Sequence, residues 1–159
     1  MVTRRGEARG GAGGTAPKNA RRRAREMAVQ GLYQWLLAGE DAGVIEAHVA
    51  ESTPGFAKAD VDYFKALLHG TLESAVELDE AIVPYLDRKS TQLSPVEHAV
   101  LLVSAFELLR MPEVPYRVVI NEAVELTKTF GGTDGYKYVN GVLDRVALQL
   151  RPHEAGGRA

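Results

Sequence analysis

Four arginines near the N-terminus are the side chains of this sequence best suited to chemistry, and that chemistry is anion binding. They lie within five consecutive positions: Arg21, Arg22, Arg23 and Arg25. Each guanidinium offers several N–H donors in a planar fork that matches the oxygens of a phosphate. If Asn19 caps the helix that carries them, the four cations crowd a helix end that is already positive, which costs stability. An anionic partner is the simplest reason for that cost, and a solvated basic face without a ligand is the alternative.

Basic and acidic residues are unevenly distributed along the sequence. Residues 1–25 hold eight basic residues and one acidic residue, a net charge of +7, whereas the rest of the chain carries −9. Such a distribution attracts a polyanion to one end of the molecule and repels it from the remainder. The overall net charge of −2 therefore does not argue against a nucleic-acid partner.

Aromatic side chains could add base stacking to these phosphate contacts. Single-stranded RNA is commonly held by arginines on its phosphates and by aromatic rings against its bases. The candidates are Tyr85, Phe130, Tyr136 and Tyr138. Phe130 and Tyr138 flank a Gly-Gly pair, so they approach each other if that turn folds the last two helices together. For each ring taken alone, packing in or beside the core is an equal alternative.

Other kinds of chemistry have little support in the sequence. The absence of cysteine excludes thiolate catalysis, cysteine-based zinc sites and disulfides. The four histidines lack the spacing of a metal site, and the glycines at 131, 132 and 135 lack the strand and the lysine of a P-loop. We therefore predict no enzyme, no metal and no cofactor. No apolar run has the length of a membrane span and the N-terminus lacks a secretory signal, so we expect a cytoplasmic protein.

The hydrophobic pattern that must position these residues is helical. Apolar residues recur at the helical period, and no segment of useful length alternates in the manner of a strand. We predict an all-α fold with six or seven helices. Residues 1–18 form a basic arm, rich in glycine and arginine, that we expect to be disordered. Residues 19–152 form a single helical domain and residues 153–159 a flexible tail.

Helix boundaries follow from capping and breaking residues. The first helix is expected from Asn19 to about Ala38. A long helix is expected over residues 61–86, capped by Asp60 and kinked or ended by Pro84. It would be the spine of the fold.

Two further helix starts carry candidate site residues. Ser94 and Glu97 form a capping box, and the helix that follows is apolar almost all round, so we place it at the centre of the fold. Thr133 or Asp134 starts the last helix, where an aspartate suits the positive helix end.

Several segments of the chain resemble the bacterial NusB family of transcription antitermination factors. They are ARRRARE at 20–26 together with QGLYQW at 30–35, VPYRVVINEAVEL at 114–126 and YKYVNGVLD at 136–144. The likeness covers residues 19–152. It implies two packed helical bundles that bind the boxA element of nascent RNA together with NusE, a small-subunit ribosomal protein. It also implies a wider complex with NusA, NusG and RNA polymerase that reads through terminators in ribosomal RNA operons.

The resemblance also implies roles for individual positions. The expected RNA contacts are Arg21, Arg22, Arg23, Arg25, Tyr85, Lys128, Phe130, Asp134 and Tyr138. The expected NusE contacts are Tyr33 and Glu97. Two other interpretations stay open: a helical RNA-binding domain related to that of ribosomal RNA cytosine methyltransferases, and a protein-interaction scaffold that binds no RNA.

Overall fold

The computed structural model describes residues 15–132 and 134–156, and for residues 15–18 it describes the backbone only. Within these ranges the chain is all-α, with short 3₁₀ turns and no strand, which confirms the predicted fold class. The described ranges contain eight α-helices instead of six or seven: α1 (Thr15–Ala38), α2 (Ala42–Ser52), α3 (Val61–Glu73), α4 (Ala75–Ile82), α5 (Pro95–Arg110), α6 (Tyr116–Phe130), α7 (Gly135–Leu150) and α8 (Pro152–Ala155). Over the same ranges, none of the helices combines the length and apolarity needed to cross a bilayer.

The start of α1 differs from the prediction. The helix begins at Thr15, so Asn19 lies inside it and does not cap it. The four arginines consequently occupy the second and third turns, where the positive end of the helix has little influence. Contrary to the prediction, the position of the four arginines does not place them at the positive helix end, where it would cost stability. The predicted disorder of the arm lies outside the described residues for positions 1–14, and positions 15–18 are helical.

Helix α5 is the centre of the fold, as predicted. Every residue from Ala99 to Leu108 is buried. The helix packs against α1, α3, α4, α6 and α7. Ser94 caps it by accepting a hydrogen bond from the Glu97 backbone N–H at 3.1 Å. Helices α1, α2 and α3 contact one another, α6 pairs with α7, and α5 joins these two groups.

The predicted long helix over residues 61–86 is broken in two. Asp60 caps its beginning as expected, accepting from the Tyr63 N–H at 3.1 Å. At Ser74, however, α3 ends and α4 begins, and Pro84 lies in a 3₁₀ turn after α4. Both helices pack on α5. Buried residues of both helices, such as Phe64 and Leu67 on α3 and Leu78 on α4, belong to the same core.

The residues that follow α7 contact α5 and α6 through Arg151 and Glu154. The Arg151 side chain is buried and donates hydrogen bonds to the carbonyl oxygens of Glu107, Leu108 and Met111 at 3.2, 2.7 and 3.0 Å. These carbonyls lie at the C-terminal end of α5, and that of Glu107 also accepts from the Met111 N–H at 3.0 Å. Glu154 in α8 accepts from the Tyr116 N–H at 2.9 Å, and this bond lowers the pKa of Glu154. Arg151 thus contacts the end of α5, and Glu154 contacts the start of α6.

Candidate nucleic-acid interface

Arg25 is part of the core and is not open to a phosphate. Only 4% of its surface is exposed. Its Nε and Nη2 atoms donate to the two carboxylate oxygens of Glu107, both at 2.9 Å. The Tyr63 hydroxyl donates to the same carboxylate. Burial by itself lowers the pKa of Arg25, but the hydrogen bonds and charge of Glu107 outweigh it and the net shift is upward. The pair joins α1 to α5.

Arg22 is held by a carboxylate but keeps an exposed surface. Its Nε and Nη2 atoms donate to both oxygens of Glu122 on α6, at 3.0 and 2.7 Å. This hydrogen bonding raises the pKa of Arg22. The Arg22 side chain is 43% exposed, whereas that of Glu122 is 10% exposed. Arg22 is therefore fixed in orientation at the edge of the α1–α6 contact, with part of its guanidinium facing solvent.

Arg21 and Arg23 differ in how well their charges are balanced. Arg21 lies over the Tyr63 ring, 4.0 Å from the centroid, and its Nε is 3.4 Å from an Asp60 oxygen. Arg23 is exposed beside the turn at Gly55, which has a positive φ of 72°. Among the described side chains, no carboxylate lies within 4.0 Å of the Arg23 guanidinium. Arg23 therefore carries the least compensated charge of the cluster.

A cleft brings together one residue expected on RNA and one expected on NusE. Its volume is about 470 Å³ and its walls come from α1, α2, α5 and α6. The lining residues are Val29, Gln30, Tyr33, Gln34, Ser52, Val96 and Phe130. The Glu97 side chain turns toward the start of α7, where a carboxylate oxygen would lie 2.7 Å from a Cβ added to Gly135. The cleft thus links Tyr33 and Phe130, whereas Glu97 lies next to its lining residue Val96 in the chain and contacts the start of α7.

The loop after α4 forms a second cluster with α7. The Arg88 guanidinium lies 4.2 Å from the centroid of the Tyr138 ring, and its Nε donates to Asp87 at 2.7 Å. The Asp87 backbone N–H donates to the Tyr138 hydroxyl at 3.3 Å. The hydrogen bond from Arg88 lowers the pKa of Asp87, and partial burial raises that of Tyr138. Arg145 donates to the Tyr85 carbonyl at 3.3 Å.

The turn between α6 and α7 carries the remaining expected residues. Lys128 lies 4.9 Å from the centroid of the Tyr136 ring and 3.6 Å from Glu125. Asp134 stands at the N-cap position of α7, but its side chain makes no capping hydrogen bond. Instead the carboxylate is 76% exposed and lies 3.8 Å from Lys137. The predicted capping role of Asp134 was therefore wrong, although α7 does start there.

Comparison with known proteins decides the family. The model of the NusB family matches residues 22–148. The chain belongs to the NusB family. Transcription antitermination protein NusB of Ralstonia pickettii (strain 12J) is 61% identical over 141 residues, which cover 89% of this chain and 90% of that protein. The protein of the same name from Ralstonia nicotianae (strain ATCC BAA-1114 / GMI1000) is 59% identical over 142 residues, with 89% and 91% coverage.

Solved structures confirm the NusB-like fold. A NusB structure from T. maritima superposes with a TM-score of 0.72 at 30% identity, over 85% of this chain and 95% of that one. The NusB chain of a crystal structure of antitermination factors NusB and NusE in complex with dsRNA gives 0.73 at 28% identity, over 82% and 98%. The chain is a transcription antitermination protein of a family without enzymatic activity, as the sequence predicted.

Within this NusB-family fold, three arginines make contacts that were not predicted from the sequence. Arg88 and Arg145 lie beside the predicted aromatic residues Tyr138 and Tyr85, and Arg151 is a buried clamp. Arg88 and Tyr138 are 50 positions apart and Arg145 and Tyr85 are 60 apart, so no local spacing could have indicated these contacts. Arg151 pairs locally with Glu154 at 2.6 Å, but the three carbonyls that it contacts belong to the end of the distant helix α5. In the described residues no group of three metal-ligating side chains occurs.

Proposed function

We propose that this chain binds the boxA element of nascent RNA together with ribosomal protein NusE, and so helps RNA polymerase read through terminators in ribosomal RNA operons. The observation that carries the proposal is the cleft lined by Phe130 and Tyr33, since it joins an expected RNA contact to an expected NusE contact. A structurally similar NusB occurs in a crystal structure with NusE and dsRNA. NusA, NusG and the polymerase complete the proposed complex, in the cytoplasm.

On the RNA side, the proposed contacts differ in kind. Arg23 and the exposed part of Arg22 bind phosphates, with Arg21 and Lys128 adding charge beside them. Phe130, Tyr85 and Tyr138 supply stacking surfaces, because each is only partly buried. Arg25 serves the interface indirectly by fixing α1 on α5. Asp134 lies near the RNA without binding phosphate.

On the NusE side, the proposed contacts are Tyr33 and Glu97. Tyr33 is 38% exposed at the mouth of the cleft, and tyrosine suits a protein interface because its ring is apolar and its hydroxyl stays hydrated. Glu97 uses its backbone N–H for the α5 cap, so its carboxylate is available for a partner. Glu97→Gln should therefore leave the cap intact and weaken only the binding of NusE.

The proposal is tested by measuring affinity for boxA RNA and for scrambled RNA of the same length, across salt concentrations, with and without NusE. We expect tighter binding to boxA, further strengthening by NusE, and a salt slope that reports the phosphates contacted. Equal affinity for both RNAs with no effect of NusE would contradict the proposal. Binding of NusE that RNA does not alter would support a protein scaffold instead. In vitro transcription through a terminator then tests antitermination directly.

A further inference from the structure

Arg88 covers part of Tyr138, a ring proposed to stack on RNA. The guanidinium carbon lies 4.2 Å from the ring centroid, which is a stacking distance. The Arg88 side chain itself is 38% exposed. On this side of the ring, a ligand therefore meets the Arg88 guanidinium before it meets the tyrosine.

Asp87 contacts both members of this pair. Asp87 accepts from Arg88 Nε at 2.7 Å and, more weakly, from Nη2 at 3.4 Å. The backbone N–H of Asp87 donates to the Tyr138 hydroxyl. One residue thus orients both members of the stack, which reduces the entropy lost when a third planar group is added.

The charges around the pair favour a base over a phosphate. Asp87 already balances the charge of Arg88, and Glu97 adds to the negative potential there. A phosphate at Arg88 would compete with the Asp87 carboxylate, whereas a base is neutral and only needs a flat surface. Arg145 differs, because it donates to the Tyr85 carbonyl and has no carboxylate of the described residues within 4.0 Å. Its charge is available to a phosphate.

We infer that Arg88 stacks one unpaired RNA base against Tyr138, as a base–guanidinium–ring sandwich, and that Arg145 binds a phosphate next to that base. The inference rests on the proposed RNA binding and extends it to two residues that the sequence did not mark. Arg88 is thereby a specificity-determining residue, since stacking requires an unpaired base, and Arg145 a backbone contact.

The test compares Arg88→Lys with Arg110→Lys. Lysine keeps the charge but has no plane for stacking. Arg110 is a matched control, because it is also exposed and paired with a carboxylate, Glu77 at 3.0 Å. The probes are single-stranded boxA RNAs with 2-aminopurine scanned through each position, whose fluorescence is quenched on stacking. A second set carries an abasic site at the quenched position.

We expect Arg88→Lys to weaken binding about fivefold or more and to abolish the quenching at one position. With the abasic RNA, the parent and Arg88→Lys should bind alike, and Arg110→Lys should match the parent throughout. Arg145→Gln should keep the quenching and lower the salt slope by about 0.7. Unchanged affinity and quenching in Arg88→Lys would overturn the stacking inference, and an unchanged salt slope in Arg145→Gln would overturn the phosphate contact. If the parent itself ignores boxA RNA with NusE present, the proposed function fails instead.

Discussion

Single arginines of one short segment have different environments and should respond differently to mutation. Arg25 is buried against Glu107, whereas Arg23, two residues earlier, is exposed and free of carboxylate partners among the described residues. Removing one partner of a buried pair leaves the other charge uncompensated, which is costly in a dry interior. Removing an exposed charge costs little.

We predict that Arg25→Met lowers the free energy of unfolding by about 3–5 kcal/mol, while Arg23→Met changes it by less than about 0.5 kcal/mol. Glu107→Met added to Arg25→Met should restore part of the loss, since no unpaired charge remains. Urea denaturation measures all three. RNA titrations of folded protein should show the reverse order, with Arg23→Met the weaker binder. A stable Arg25→Met variant that loses RNA affinity would mean that Arg25 reaches a phosphate.

Asp134 is a carboxylate on the proposed RNA surface, and we predict that Asp134→Asn strengthens RNA binding about twofold or more. At roughly 7 Å from a phosphate with water-like screening, the repulsion it removes is worth about 0.5 kcal/mol. Stability should not change, because the side chain makes no capping bond. The gain should shrink as salt rises. Fluorescence titration at two ionic strengths measures the change in RNA affinity. Glu73→Gln, at an exposed position on α3, is the control. Weaker binding by Asp134→Asn would show that Asp134 accepts a hydrogen bond from RNA.

At the scale of elements, the helices meet α5 at places where only a small residue fits. Gly70 on α3 faces Phe106 on α5, and a Cβ added there would lie 2.2 Å from the Phe106 ring. Gly141 on α7 is also inside a helix, but an added Cβ would meet no atom within 4 Å. Alanine at position 70 would therefore change both core packing and helix propensity, whereas alanine at position 141 would change helix propensity alone.

We predict opposite effects for alanine at these two positions. Gly70→Ala should lower the free energy of unfolding by about 1–3 kcal/mol, because the ring cannot move without disturbing the core. Gly141→Ala should raise it by about 0.5–1 kcal/mol, since alanine favours the helix and meets open space. Urea unfolding of the two variants gives the comparison. If both variants had a higher free energy of unfolding than the parent, helix propensity would outweigh the contact with Phe106 at position 70.

At the scale of the whole molecule, positive charge is concentrated at one end of a chain that is otherwise acidic. Residues 1–14 contribute Arg4, Arg5 and Arg9 against Glu7, and they lie outside the described structure. Their charge can act on a polyanion without forming part of the core.

We predict that deleting residues 1–14 leaves the urea midpoint unchanged, because the segment is rich in glycine and arginine and supplies almost no apolar side chains. The deletion should weaken binding to boxA and to scrambled RNA by a similar factor and reduce the salt slope, as expected for contacts that read charge only. Replacing Arg4, Arg5 and Arg9 by glutamine in the full chain is the matched control. A loss of stability on deletion would show that the segment packs on the helical domain.

The fold class, several helix starts and the family could be predicted from the sequence, because each depends on residues that are close together in the chain. The helical period of the apolar residues indicated the all-α class. Asp60 and Ser94 indicated helix starts, because each accepts a hydrogen bond from a nearby backbone N–H. Apolar residues on all sides of α5 indicated that this helix lies at the centre of the fold. The motifs around residues 20–35 and 114–144 were sufficient to indicate the NusB family, which the comparisons confirmed.

Which arginines are available to a ligand depends on contacts between distant parts of the chain. Arg25 meets Glu107 across 82 residues of chain and Arg22 meets Glu122 across 100, so no local pattern could announce either pair. The same holds for Arg151, whose acceptors lie more than 40 positions away for two of its bonds. A guanidinium has the same chemistry in every position, and packing determines whether its donors meet a carboxylate, a carbonyl or solvent.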